Sequence, residues 1–177
     1  MPITEAKIST VFIEKLTASL PLLSPRLCLR LPNPEDAAWI EPAVGNPRVA
    51  LMTGSIPHPY PAGGARDYIQ NKKANFDQGT ELSLVIERGQ DRIPMGVIGL
   101  RFDSSQSEIG YWLAEEFWGQ GYASEAAARV LAFMTALGSL LTSSTFTVRK
   151  RMISSDSFSW FSMSATAAPG MERPRWV

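Results

Sequence analysis

The run Ile109-Gly110-Tyr111-Trp112-Leu113-Ala114-Glu115-Glu116-Phe117-Trp118-Gly119-Gln120-Gly121-Tyr122-Ala123-Ser124-Glu125-Ala126 decides how the rest of the chain is read. Its first five residues suit a strand, and its middle carries glycines at 119 and 121. From Ala123 the apolar positions recur at Ala127, Val130, Leu131, Met134 and Leu137, the spacing of one helix face. Strand, glycine turn and helix in that order gather free backbone N–H groups at the positive end of a helix dipole. Only a turn without bulky side chains lets the backbone approach a pyrophosphate, so this one has the makings of a phosphate cradle. A Gly-x-Gly before a helix is equally what a plain tight turn looks like, and the flanking sequence has to separate the two.

Upstream, Glu81 to Arg88 alternates, with Leu82, Leu84 and Ile86 on one side and Glu81, Ser83 and Glu87 on the other. That pattern predicts a half-buried strand. Gly89-Gln90-Asp91 then turns the chain into an apolar run at 95–100, and Asp103-Ser104-Ser105 into a third at 109–113, so the three form an antiparallel meander. Before them, 64–77 reads as a helix and 53–64, with Gly54, Pro57, Pro59, Pro61, Gly63 and Gly64, as a loop. A first strand over 26–31 stops at Pro32. Asn33 then caps a helix with Pro34, Glu35 and Asp36 in its first turn and Ala37, Ala38, Trp39 and Ile40 on its apolar side, ending near Gly45. Downstream, Gly138 predicts the end of the long helix, and 140–148 a further short strand. The order is α+β and unlike the strict alternation of a doubly wound nucleotide fold.

Composition narrows the function classes. The chain has 177 residues, of which 45% are apolar, enough for one domain over 1–177 with a single core. Seventeen basic residues balance seventeen acidic ones, so no global field draws the chain to a nucleic acid or a membrane. Cys28 has no second cysteine to bridge, and with His58 the only histidine no Cys/His zinc cluster can form; no metal is expected, and a reducing cytoplasmic setting is. Glu5, Lys7, Glu14 and Lys15 interrupt the apolar residues of the first twenty positions, which argues against a signal peptide.

The flanking sequence decides for the cradle. Trp118-Gly119-Gln120-Gly121-Tyr122-Ala123 resembles the cofactor loop of GNAT acetyltransferases, Arg/Gln-x-x-Gly-x-Gly/Ala, with Trp118 in place of the usual first residue. Phe117 to Ala126 is similar to the ribosomal-protein alanine acetyltransferase branch, as are Pro25-Arg26-Leu27-Cys28-Leu29-Arg30, the pair Glu35-Asp36 and His58-Pro59-Tyr60. The likeness spans about residues 22 to 146.

The resemblance implies a mixed sheet whose two central parallel strands splay into a V, where the pantetheine arm of acetyl-CoA pairs with exposed backbone. That backbone falls here on Trp112 and Leu113, with the Leu113 N–H as oxyanion donor. Gly119, Gln120, Gly121, Tyr122, Ala123 and Ser124 hold the pyrophosphate. The acceptor is a primary amine, a protein N-terminus or a small amine, attacking directly in a ternary complex. Such an amine must be neutral, and an α-amino group with a pKa of roughly 7.7 to 8.0 loses its proton far more easily than lysine at about 10.4. Glu108 is the candidate base, acting through water, ahead of Glu81, Glu115 and Glu116. Each of the four otherwise reads as a solvated surface carboxylate, Tyr111 and Trp112 as core aromatics, His58 as a surface residue and Cys28 as packing.

Past residue 146 the likeness fails. Residues 147–177 carry no Asn-x-x-Ala/Ser helix, no Leu-Gly-Phe ending and no alternating pair of strands, and no general acid can be assigned among Ser157, Ser159 and Ser162. A shifted reading frame or natural divergence would leave such a tail. The alternative function is therefore an impaired CoA-binding module or an inactive, frame-altered chain. Self-association or a homodimer through an uncovered C-terminal edge is expected, with Phe158, Trp160 and Phe161 forming a short covering helix.

Overall fold

Seven strands lie side by side in chain order: β1 (Leu22–Leu23), β2 (Leu27–Arg30), β3 (Glu81–Arg88), β4 (Pro94–Arg101), β5 (Ser107–Leu113), β6 (Phe146–Lys150) and β7 (Phe161–Ala165). Every neighbouring pair is antiparallel except β5 and β6, which run parallel. Five helices accompany them: α1 (Thr10–Ala18), α2 (Ala37–Gly45), α3 (Pro47–Thr53), α4 (Gly64–Asp77) and α5 (Tyr122–Leu141). The computed structural model describes residues 10–53, 56–102, 107–141, 146–150 and 161–165, with side chains up to 137.

Local chemistry sets the helix starts. The Asn33 side chain accepts from the N–H groups of Glu35 and Asp36, and the Asp36 carboxylate accepts from the Asn33 N–H at 2.7 Å. This capping box opens a 3-10 turn, Pro34–Asp36, that runs on into α2. Asn46 does similar work for α3, accepting from the Arg48 N–H at 2.9 Å, with Pro47 at the first helical position. Neither α1 nor α3 has a counterpart among the elements expected from sequence.

The sheet is covered on both faces. Ala126, Ala127, Val130, Met134 and Leu137 of α5 join Leu82, Leu84, Ile86, Ile98, Leu100 and Ile109 in the main core. Ala37, Ile40, Val44, Ala65 and Ile69 of α2 and α4 build a smaller cluster over the other face, with Trp39 and Trp112 against it. The half-buried reading of β3 is thereby corrected. All its residues but Arg88 are buried, because Glu81, with Ser83 bonded to it, finds Lys72 and Asn75 of α4, and Glu87 pairs with Arg30 of β2.

Three further expectations change. Gly138 does not stop α5, which runs on to Leu141; one interior glycine costs a helix only about 1 kcal/mol relative to alanine. The strand expected over 140–148 therefore starts later, at Phe146. The tail does contain a strand pair, β6 with β7 in the register Phe146↔Ala165 to Lys150↔Phe161, so Phe161 opens a strand and not a covering helix. Phe158 and Trp160 lie outside the described residues.

Candidate active site

Pairing between β4 and β5 runs from Glu108 to Leu113, but pairing between β5 and β6 covers only Ser107↔Val148, Glu108↔Arg149 and Ile109↔Lys150. The chain that follows β6, 151–160, lies outside the described residues, and so does the V expected beyond Ile109 and Lys150. Which backbone groups of β5 face the β6 side follows from one bond. The Ala114 N–H donates to the Met95 carbonyl on the β4 side at 2.8 Å. Backbone groups alternate along a strand, so Trp112 turns its N–H and C=O towards β4, and Tyr111 and Leu113 turn theirs towards the β6 side. A Cβ on Gly96 of β4 would indeed collide with the Trp112 carbonyl oxygen. The backbone turned to the β6 side is that of Tyr111 and Leu113, where the sequence pointed to Trp112 and Leu113. The Leu113 carbonyl accepts from the Trp118 indole at 2.8 Å.

Beyond β5 the chain makes a 3-10 turn, Glu115–Phe117, and passes through Gly119 and Gly121, both left-handed with φ of 72° and 79°. Those angles suit glycine and strain any other residue. The hydrogen-bond ladder of α5 begins with Glu125 N–H donating to the Gly121 carbonyl at 3.1 Å. The N–H groups of Tyr122, Ala123 and Ser124 stand ahead of that ladder, at the positive end of a 20-residue helix. Gly119, Gln120, Gly121 and these three residues form a single cup beyond the C-terminal end of β5.

On the α2/α4 side of the sheet a cavity of about 650 Å³ has three cross-strand rows as its floor. Glu81, Arg101 and Glu108 make a charged row, Ser83, Gly99 and Gly110 a small one, and Val97 and Trp112 an apolar one that ends beside Leu113. Ile40, Val44, Met52, Ile56, Tyr60 and Tyr68 form the walls. The apolar wall pushes the Tyr68 phenol well above its usual range by burial, with the Glu81 charge adding to it. A wider, more open depression of about 950 Å³ between Pro34, Pro42 and Arg66 lies away from β5 and the glycine cup.

The candidate bases separate by environment. Glu81 is buried and not solvated: burial pushes its carboxyl up, but Lys72, Asn75 and Ser83 outweigh that and hold it below the usual carboxylate range. Its charge is already committed. Glu115 is likewise taken, accepting from Asn46 at 2.8 Å and pairing with Arg48, whose guanidinium lies over the Trp118 ring. Glu116 is exposed beside the loop. Glu108 lines the cavity opposite Arg101 and lies five residues before Leu113, about 16 Å along an extended strand, too far for direct contact with it. His58 is exposed and Cys28 buried, its thiol 3.1 Å from an Arg92 nitrogen. Among the described residues no group of three His, Cys, Asp or Glu side chains could hold a metal, and no helix is long and apolar enough to cross a membrane.

Comparison with known proteins agrees with this fold. A ribosomal-protein-serine acetyltransferase structure from Vibrio cholerae superposes with a TM-score of 0.58 at 18% identity, covering 72% of each chain. RimL, a ribosomal L7/L12 α-N-protein acetyltransferase solved with coenzyme A, gives 0.59 at 20%, covering 73% of each. An acetyltransferase from Agrobacterium tumefaciens gives 0.55 at 25%, covering 76% of this chain and 74% of its own. No curated sequence matches the chain. The family model described as acetyltransferase (GNAT) domain matches residues 26–153, most of the length and all of β5, the glycine cup and the cavity floor. The chain belongs to the GNAT acetyltransferase family.

Proposed function

We propose that the protein transfers the acetyl group of acetyl-CoA to a primary amine, by direct attack within a ternary complex. One observation carries this reading. The backbone of Tyr111 and Leu113, turned away from β4, leads into the cup of N–H groups at 119–124, which suits an acyl donor with an amide-bearing arm and a diphosphate. The cavity on the other side of Trp112 is then the place for the acceptor. Tyr111 and Leu113 offer main-chain bonds to the arm, and the Leu113 N–H stabilises the oxygen that becomes negative as the amine attacks. Glu108 draws the amine proton away through water. The carbon–sulfur bond breaks as the carbon–nitrogen bond forms, and the leaving thiolate takes up a proton.

RimL and its ribosomal-protein relatives favour a protein N-terminus as acceptor, since an α-amine is neutral in useful amount near pH 7. The second reading, a binder with little turnover, is favoured by the family match ending at residue 153. Calorimetric titration with acetyl-CoA, followed by thiol release with a panel of N-terminal peptides and small amines, tests both. Binding with release supports transfer, and binding without release from any amine supports the binder. In the Gly121→Glu variant, a side chain and a charge enter the cup at a left-handed position, and binding is expected to vanish.

A further inference from the structure

The stretch 114–124 that forms the cup contains two glutamates and no basic residue, a poor composition for seating a diphosphate. A guanidinium arrives from elsewhere in the chain. Arg26, ahead of β2, donates through Nη1 to the Gln120 carbonyl at 3.0 Å, across 94 residues of sequence. Its side chain lies over the Tyr122 ring at 4.6 Å, and Nη2 is 3.5 Å from where a Cβ of Gly121 would be. Glu125 on the first turn of α5 holds it in place. One Glu125 oxygen accepts from the Arg26 Nε at 2.6 Å, and the other from the Arg26 N–H at 2.9 Å and the Ser24 hydroxyl at 2.7 Å. Ser24 in turn fixes the turn before β2 through its contacts with Leu27.

This arrangement controls the direction of one peptide. In a planar trans peptide the C=O and N–H point opposite ways, so anchoring the Gln120 carbonyl on Arg26 turns the Gly121 N–H in the opposite direction, away from Arg26. An unanchored Gln120 carbonyl could flip its negative end into the diphosphate seat, which glycine at 121 makes conformationally cheap. We propose that Arg26, clamped by Glu125, is a positioning residue of the donor site that orients the Gln120–Gly121 peptide so that the Gly121 N–H faces the diphosphate of the acyl-CoA. The pair is close to neutral as a unit, so its effect is on the orientation of donors more than on net field. The inference rests on the acetyl-CoA reading above.

The discriminating probe is S-acetyl-pantetheine, which keeps the thioester and the arm but lacks the diphosphate. Arg26→Met is expected to raise the KM for acetyl-CoA about tenfold, the worth of roughly one charge-assisted contact, with kcat within about twofold. Turnover of acetyl-pantetheine should match that of the wild type. Glu125→Gln should reproduce the effect, and the double variant should add little to either single one. Equal losses on both donors would mean that Arg26 merely supports the fold, and an unchanged acetyl-CoA KM would mean that it does not hold the loop; either result overturns the proposal. Should Arg26→Met melt below the assay temperature, Arg26→Lys, which keeps charge and stem but loses the fork, makes the same comparison. Failure of the wild-type protein to bind acetyl-CoA would instead remove the donor reading itself.

Discussion

Gly96 shows how a single missing side chain shapes the site. Its would-be Cβ collides with the Trp112 carbonyl and stands 2.8 Å from the Leu113 Cα, so any larger residue must displace the Trp112–Leu113 peptide. Gly96→Ala is expected to cost about 1–3 kcal/mol in denaturant unfolding and to lower turnover more than its stability loss explains, because the displaced peptide carries the Leu113 N–H. Equal activity per folded molecule would mean that the donor lies elsewhere. At Glu108 the expectation is kinetic. Glu108→Gln should lower kcat about ten- to hundredfold while leaving acetyl-CoA affinity unchanged, as measured by steady-state rates beside calorimetry. If Glu116→Gln is the slow variant instead, the base sits beside the loop and not on the cavity floor. The turn at Gly119 and Gly121 was legible because left-handed backbone favours glycine. The orientation of Trp112 was not, since strand parity became visible only once Ala114 was seen bonded to Met95.

Among the elements, β2, β3 and the turn before α2 are locked by a buried ionic ladder. Arg30 donates to Glu87 at 2.5 Å and to both Asp36 oxygens at 2.8 and 2.7 Å, while Trp39 donates to Asp36 at 2.8 Å. Arg92 approaches the second Glu87 oxygen at 2.8 Å, outside hydrogen-bond geometry. Burial pushes the Asp36 carboxyl up, but Arg30, Asn33 and Trp39 outweigh it and leave it below the usual carboxylate range. A carboxyl depressed in the folded state stabilises fully above its unfolded pKa and loses that contribution as the pH falls through the folded one. Glu81, lowered as well, has the same sign. Wild-type stability should therefore decline as the pH drops below about 4.5, and Asp36→Asn should be less stable by about 3 kcal/mol at pH 7 with a shallower acid slope. Equal acid slopes in pH-dependent urea unfolding would assign the dependence to other groups. The same ladder explains why β3 was misread. Alternation placed Glu81 and Glu87 on a solvent face, and their partners Lys72 and Arg30 come from other elements. By contrast α4 and the Asn33 cap follow from neighbours in sequence, and both were legible. Short α3 has too few residues to show a period, although Asn46-Pro47 carries its start signal.

For the whole molecule, donor binding and stability are linked. Acetyl-CoA at a hundred times its Kd should stabilise the folded state by about 2.7 kcal/mol and raise Tm by about 5–10 °C for a chain of this size. Scanning calorimetry with and without acetyl-CoA reads that shift, and none is expected with Gly121→Glu. The strand order has a further consequence. Each strand lies beside the one before it in sequence, but two of the closures are long. β2 and β3 are separated by α2, α3 and α4, and β5 and β6 by the whole of α5. The β3–β4–β5 meander closes through short turns and can form first, while both long closures wait. Tyr111 and Leu113 belong to the last strand of that meander, so the backbone proposed to hold the acyl donor is set in place before its parallel neighbour arrives.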